Sequence, residues 1–163
     1  MNNIAKRLLF YWATSFIIAA TFYNVLQMIM PSHRVFGALF RMFLYHWEYP
    51  ISFIVIPCFF YGILATIFTK TFIKQTITKQ ILLTLLIITL TIFLSSPFGG
   101  ILWHYYDMKA GYFPSNWIFK MIKNGFVQGF KIGWLIILLS VPYNILGAIA
   151  CYLLTKKGSK LLT

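Results

Sequence analysis

The chain has 163 residues, of which 60% are hydrophobic and only 10% are charged, and its net charge is +12. This composition argues against a soluble nucleic-acid-binding domain, because the basic residues flank long apolar stretches, where they can meet anionic lipid headgroups. We expect an all-α, multi-pass membrane protein that forms a single domain over residues 1–163.

Four apolar stretches are long enough to cross a membrane as helices. A crossing of about 30 Å of hydrocarbon takes about 20 residues, and lipid offers no partner to an unpaired backbone group. The stretches contain no Asp, Glu, Lys or Arg, and they predict a bundle of four transmembrane helices. They cover residues 8–30, 51–69, 81–103 and 132–154.

The basic residues set the predicted orientation. With the N-terminus inside, eight of the 14 Lys and Arg residues fall on the cytoplasmic side, five fall outside, and Lys131 lies at a boundary. Basic residues concentrate on the cytoplasmic side of membrane proteins, so we expect both termini in the cytoplasm. The excess of Lys over Arg and the many Ile and Phe residues are typical of bacterial chains with AT-rich genes. We therefore expect a bacterial cell-membrane protein.

The connection after the first stretch, residues 31–49, has a helical pattern of its own. Arg34, Arg41 and Glu48 are seven residues apart, and most residues between them are apolar. On a helix this spacing gives a narrow polar stripe beside a broad apolar face. It predicts an amphipathic helix that lies in the membrane interface between the first and second transmembrane helices.

Both acids and all three histidines fall on the predicted outer side. His46 and Glu48 precede the second stretch, and His104 and Asp107 follow the third; we call these four residues the outer-face polar cluster. Imidazole and carboxylate groups suit zinc or another transition metal, which makes His46, His104 and Asp107 candidate metal ligands. We favour the alternative that these groups are solvated among lipid headgroups, with no cofactor and no catalytic residue assigned.

Four polar residues share a predicted depth in the outer part of the bundle. Asn24 and Gln27 lie near the outer end of the first helix, and Gln128 and Lys131 lie near the outer end of the fourth. Together they predict an outward-facing polar pocket beneath the two outer connections.

Small residues recur on one face of the last helical stretch. Such residues let membrane helices approach closely, so the glycines predict helix packing. An alternative is that part of the face lines a cavity or contacts a partner. Pro97 and Pro142 are expected to bend the third and fourth helices, since proline removes a helical hydrogen bond. The small-residue face comprises Gly125, Gly129, Gly133, Ser140, Asn144, Gly147 and Cys151, of which Gly125, Gly129, Gly133 and Gly147 are assigned to packing.

Three functions are compatible with these features. The favoured one is a small membrane protein that acts by protein or lipid contact, as an accessory subunit, a regulator or an immunity-type protein, with its polar working surface outside. Its expected partners are membrane lipids and another membrane protein or a second copy of itself, and not nucleic acid. The alternatives are a small-solute transporter or oligomeric channel with an outward-facing pocket, and a metal-dependent membrane enzyme.

Overall fold

The computed structural model describes residues 3–30, 50–112 and 114–161, and every regular element within these ranges is helical. Three helices are long and apolar enough to cross a membrane: α1 (Asn3–Ile29), α2 (Pro50–Ile73) and α3 (Ile77–Lys109). The all-helical fold is confirmed, and the three apolar helices are compatible with a membrane location. The predicted interfacial helix falls on residues 31–49, outside the described residues.

A tight turn at residues 74–76 joins α2 to α3. The backbone N–H of Gln75 donates to the Phe72 carbonyl at 3.2 Å. Gln80, in the first turn of α3, donates its side-chain amide to the carbonyls of Phe72 and Gln75, each at 3.2 Å. The last carbonyls of a helix need partners from outside the helix, and here the backbone of the turn and the Gln80 side chain supply some of them. The connection can therefore be short, and α3 runs back along α2.

Helix α3 is longer than the predicted third span. No helix breaker follows Trp103, so the helix continues to Lys109 and ends before Gly111, whose φ of +86° is a conformation that favours glycine. His104 and Asp107, predicted to lie in a connection, are therefore on the last turns of α3. Pro97 lies inside the helix without interrupting it.

The last apolar stretch is not a single helix. Residues 140–142 interrupt it, because Pro142 has no N–H with which to continue the helical hydrogen bonds. Instead of one bent helix over residues 132–154 there are helical segments on either side of the interruption, and the predicted four-helix bundle is not confirmed. The elements are a 3-10 turn (Ser115–Trp117), α4 (Ile118–Gln128), a π-helical turn (Gly129–Gly133), α5 (Trp134–Leu139) and, after the interruption, α6 (Tyr143–Leu161).

Helices α1, α2 and α3 are neighbours in that order, and the remaining helices pack on them. Helix α4 and the π-helical turn pack extensively on α3, α5 contacts α3 at few positions, and α6 packs against α1, α2 and α3. Buried aromatic and aliphatic side chains, among them Tyr11, Ile54, Phe72 and Ile87, fill the contacts between these helices. The end of α5 and the start of α6 lie opposite residues of all three long helices, α1, α2 and α3.

Candidate functional site

Asn144 repairs the interruption between α5 and α6. In a continuous helix the Leu138 carbonyl would accept a hydrogen bond from the N–H of residue 142, which proline lacks. The side-chain amide of Asn144 donates to that carbonyl instead. Ser140 Oγ donates to the Ile137 carbonyl at 2.6 Å. Such partners are what allow a helix to be broken inside hydrocarbon.

A cavity of about 350 Å³ lies beside this interruption; we call it the large cavity. Its wall comes from the central parts of α1 and α3, from the first half of α2, from the end of α5 and from α6. Most of the wall is aliphatic or aromatic, with a few hydroxyl, thiol and amide groups. The lining residues include Ser15, Ala19, Phe22, Ile54, Cys58, Tyr61, Ile88, Thr91, Ile92, Leu138, Ser140, Tyr143, Asn144, Gly147 and Cys151.

Tyrosine hydroxyls fix α6 against its neighbours around the cavity. Tyr61 on α2 makes a 2.9 Å hydrogen bond with Thr155 Oγ1 and a 3.2 Å hydrogen bond to the Cys151 carbonyl. Tyr143 on α6 donates to the Ala19 carbonyl of α1 at 3.0 Å. Both tyrosines are buried, with exposed fractions of 2% and 8%. The wall formed by α6 is therefore attached to α1 and α2 by specific bonds between helices.

The glycines of α4 and the π-helical turn pack directly on α3, in a contact that we call the glycine seam. A Cβ built on Gly125 would lie 2.7 Å from the Gly100 carbonyl oxygen, and one on Gly129 would lie 3.0 Å from Gly100 Cα. A Cβ on Gly133 would lie 3.1 Å from Ser96 Cβ. The backbones of the two segments are thus closer than any larger residue would allow.

Gly147, assigned from the sequence to the same packing face, has different surroundings. Among the described residues, no atom of another segment lies within 4 Å of the position its Cβ would take, and the residue lines the large cavity. Ser140, Asn144 and Cys151 line the same cavity. The small-residue face therefore divides at the interruption: its first part packs on α3, and its second part borders the cavity.

The four residues of the predicted outer polar pocket have different surroundings. Gln128 lines a second, smaller cavity of about 60 Å³ beside the glycine seam. Asn24 and Gln27 are exposed on α1, and the Asn24 amide donates to the Ala20 carbonyl at 2.9 Å. Lys131 is exposed on the π-helical turn. Asn24, Gln27 and Lys131 line neither cavity, so the outward-facing pocket stays a prediction.

The outer-face polar cluster is described only in part. His104 and Asp107 are partly buried on the last turns of α3, and the His104 ring packs edge-on against Trp103 with the ring centroids 6.2 Å apart. His46 and Glu48 lie outside the described residues. Within the part of the chain that is described, no three His, Cys, Asp or Glu side chains are grouped to hold a metal ion.

The sequence offered a cavity along the small-residue face only as an alternative to packing, and it did not predict which other helices line that cavity. Two signals pointed toward it. Pro142 marked a weak point in the last helix, and the small residues after it had no assigned neighbour. Wall residues such as Thr91 and Tyr61 gave no signal, because an apolar helix shows the same pattern whether it faces lipid or a cavity. No protein-family model, curated protein or solved structure matches this chain.

Proposed function

We propose that this chain is a multi-pass protein of the cell membrane that acts by contact with lipid, and that it holds one apolar lipid chain in the large cavity. The observation that carries the proposal is a cavity of about 350 Å³ with a mostly hydrocarbon wall. Ligand pockets have volumes of about 300–1,000 Å³. A cavity with an apolar wall takes up apolar molecules rather than water, and lipid chains are the apolar molecules that surround a membrane protein.

The depth of the cavity suits a lipid chain rather than a headgroup. Its wall uses Ser15 to Phe22 and Ile88 to Ile92, which are central parts of α1 and α3, and Ile54 to Tyr61 in the first half of α2. In a membrane the central part of a crossing helix lies in the hydrocarbon layer. A bound lipid would therefore place its tail here and leave its headgroup at the surface.

A route for the lipid chain runs between α1 and α5. Both helices contribute to the cavity wall, α1 through residues such as Ala19 and α5 through Leu138. Within the described ranges, however, α1 packs extensively only against α2 and α6. The scarcity of contacts between α1 and α5 in the described ranges supports lateral entry from the surrounding lipid.

The proposal includes a topology. Helices α1, α2 and α3 each cross the membrane, and α4 to α6 make the fourth crossing in two parts. Both termini lie in the cytoplasm, which the exposed Lys70, Lys74 and Lys79 around the α2–α3 turn and the exposed Lys157 of α6 support. Basic residues concentrate on the cytoplasmic side.

Filling the cavity tests the proposal. Purified protein should bind the fluorescent fatty acid cis-parinarate saturably, with about one molecule per chain. Gly147→Leu should weaken this binding by about tenfold or more, because the new side chain enters open space that the ligand needs, and forcing both into one site costs about 1–3 kcal/mol.

Gly99→Leu is the matched control. Gly99 also has no atom of another described segment within 4 Å of its Cβ position, but it lies outside the wall of the large cavity. This variant should bind cis-parinarate like the unaltered protein. The proposal fails if the unaltered protein shows no saturable binding, or if Gly147→Leu and Gly99→Leu bind equally well.

A further inference from the structure

One buried hydroxyl in the described part of the chain differs from all the others. Eight serine and threonine side chains are buried there, and seven of them donate a hydrogen bond to a backbone carbonyl three or four residues earlier. Thr91 is the exception: its Oγ1 has no partner among the described residues. The seven paired side chains are Thr69, Thr84, Ser95, Ser96, Ser140, Thr155 and Ser159.

The exception is not a general property of α3. On the same helix, Thr84 donates to the Gln80 carbonyl at 2.9 Å and Ser96 donates to the Ile92 carbonyl at 2.7 Å. A buried hydroxyl without a partner costs about 1–3 kcal/mol, and no water in the hydrocarbon layer can relieve that cost. A hydroxyl at Thr91 is therefore expected to have a partner when the site is occupied.

Thr91 lies in the wall of the large cavity and is only 8% exposed. Two polar side chains of that wall, Ser140 and Asn144, donate to the Ile137 and Leu138 carbonyls, and neither is hydrogen-bonded to Thr91. A water molecule would need two to four polar partners, which a mostly apolar wall does not offer. A ligand in the cavity can supply the missing partner.

We infer that the ligand of the large cavity is an acyl chain that carries an oxygen, as a hydroxyl or a carbonyl, part of the way along its length, and that Thr91 hydrogen-bonds to this oxygen. The inference rests on the proposed function. A headgroup oxygen is excluded by depth: Thr91 is near the middle of α3, roughly 20 Å from its first residue at about 1.5 Å per residue. The oxygen must lie within the tail, and Thr91 selects for it.

The test compares oleate with ricinoleate, which is the same chain with a hydroxyl near its middle. Each fatty acid is titrated against cis-parinarate bound to the full-length protein. Ricinoleate should displace the probe about 2- to 12-fold more effectively than oleate. This ratio is the gain in affinity that corresponds to the net contribution of one hydrogen bond. Thr91→Val should abolish this preference, whereas Thr91→Ser should keep it.

The two fatty acids partition into detergent to the same extent whichever variant is present. A difference between variants therefore reports binding to the protein and not partition. Equal displacement by both fatty acids in the unaltered protein overturns this inference and leaves the proposed function standing. Displacement by neither fatty acid contradicts the proposed function itself. A ricinoleate preference that survives in Thr91→Val also overturns the inference.

Thermal unfolding without fatty acid gives an independent check. Thr91→Val should unfold at the same or a higher temperature than the unaltered protein, because valine has the same shape and removes an unpaired hydroxyl. A clear loss of stability would mean that the Thr91 hydroxyl has a partner within the protein, and the inference would be wrong.

Discussion

Two adjacent glycines of α3 should respond in opposite ways to the same substitution. Gly100 faces the glycine seam: a Cβ there would contact the Gly125 carbonyl oxygen and would lie 2.6 Å from Gly129 Cα and 2.7 Å from Gly129 N. At Gly99, no other segment in the described part of the chain has an atom within 4 Å of the Cβ position. Alanine is a better helix former than glycine by about 0.5–1 kcal/mol, and this gain applies at both positions. A difference in stability between the two variants therefore reports the difference in packing.

The magnitude follows from the atoms that Gly100→Ala would meet. They belong to the backbone of the opposite segment and cannot rotate away, so α4 would have to move until 2.6 Å becomes the 3.4 Å of an ordinary contact. That displacement also loosens the contacts of Gly125 and Gly129 along the glycine seam. We expect a cost of about 3 kcal/mol, the upper end of the range for overpacking. Gly99→Ala should instead stabilise the protein by about 0.5–1 kcal/mol.

Thermal unfolding in one fixed detergent measures the contrast. For a chain of this size, 1 kcal/mol corresponds to about 2–4 °C, so Gly100→Ala should lower Tm by about 6–12 °C and Gly99→Ala should raise it by about 1–4 °C. Equal Tm values for the two variants, or a Gly100→Ala protein as stable as the unaltered one, would refute the close packing of α4 on α3.

Two further predictions concern the helix interruption and the topology. Asn144→Leu should lower stability by about 1–3 kcal/mol, because the Leu138 carbonyl loses the amide that replaces the missing N–H of Pro142. Asn24→Leu is its control and should cost little, since the Ala20 carbonyl that Asn24 contacts lies within a regular helix; equal losses would contradict the repair role. In a chain with both native cysteines changed to alanine, an impermeant maleimide should label Lys109→Cys but not Lys74→Cys in intact cells. Equal labelling would contradict the two-sided topology.

The helical fold could be predicted from the sequence because the membrane sets local requirements. Length and apolarity along a single stretch decide whether a helix can cross, and α1, α2 and α3 satisfy both. The spacing of Gly125, Gly129 and Gly133 likewise predicted which face of the last stretch would pack closely. Features of this kind need no knowledge of any other part of the chain.

The partner of that glycine face could not be predicted in the same way. Ser96 and Gly100 are also four residues apart and supply the opposite side of the glycine seam. In the sequence they lie on either side of Pro97. That segment was interpreted as a bend in the helix and not as a packing face. Which small residues of one helix meet those of another depends on the relative height of the two helices, which a single sequence does not contain.

The large cavity depends on this same arrangement. The glycine seam holds α4 and the π-helical turn against α3, whereas Tyr61 and Tyr143 attach α6 to α2 and α1. Pro142 cannot continue the helical hydrogen bonds, so it separates α6 from α5 and from the segment packed in the seam. The cavity beside this interruption is bordered by Gly147 and Thr91. In the proposed function, the small and polar residues of its wall determine what the site can hold.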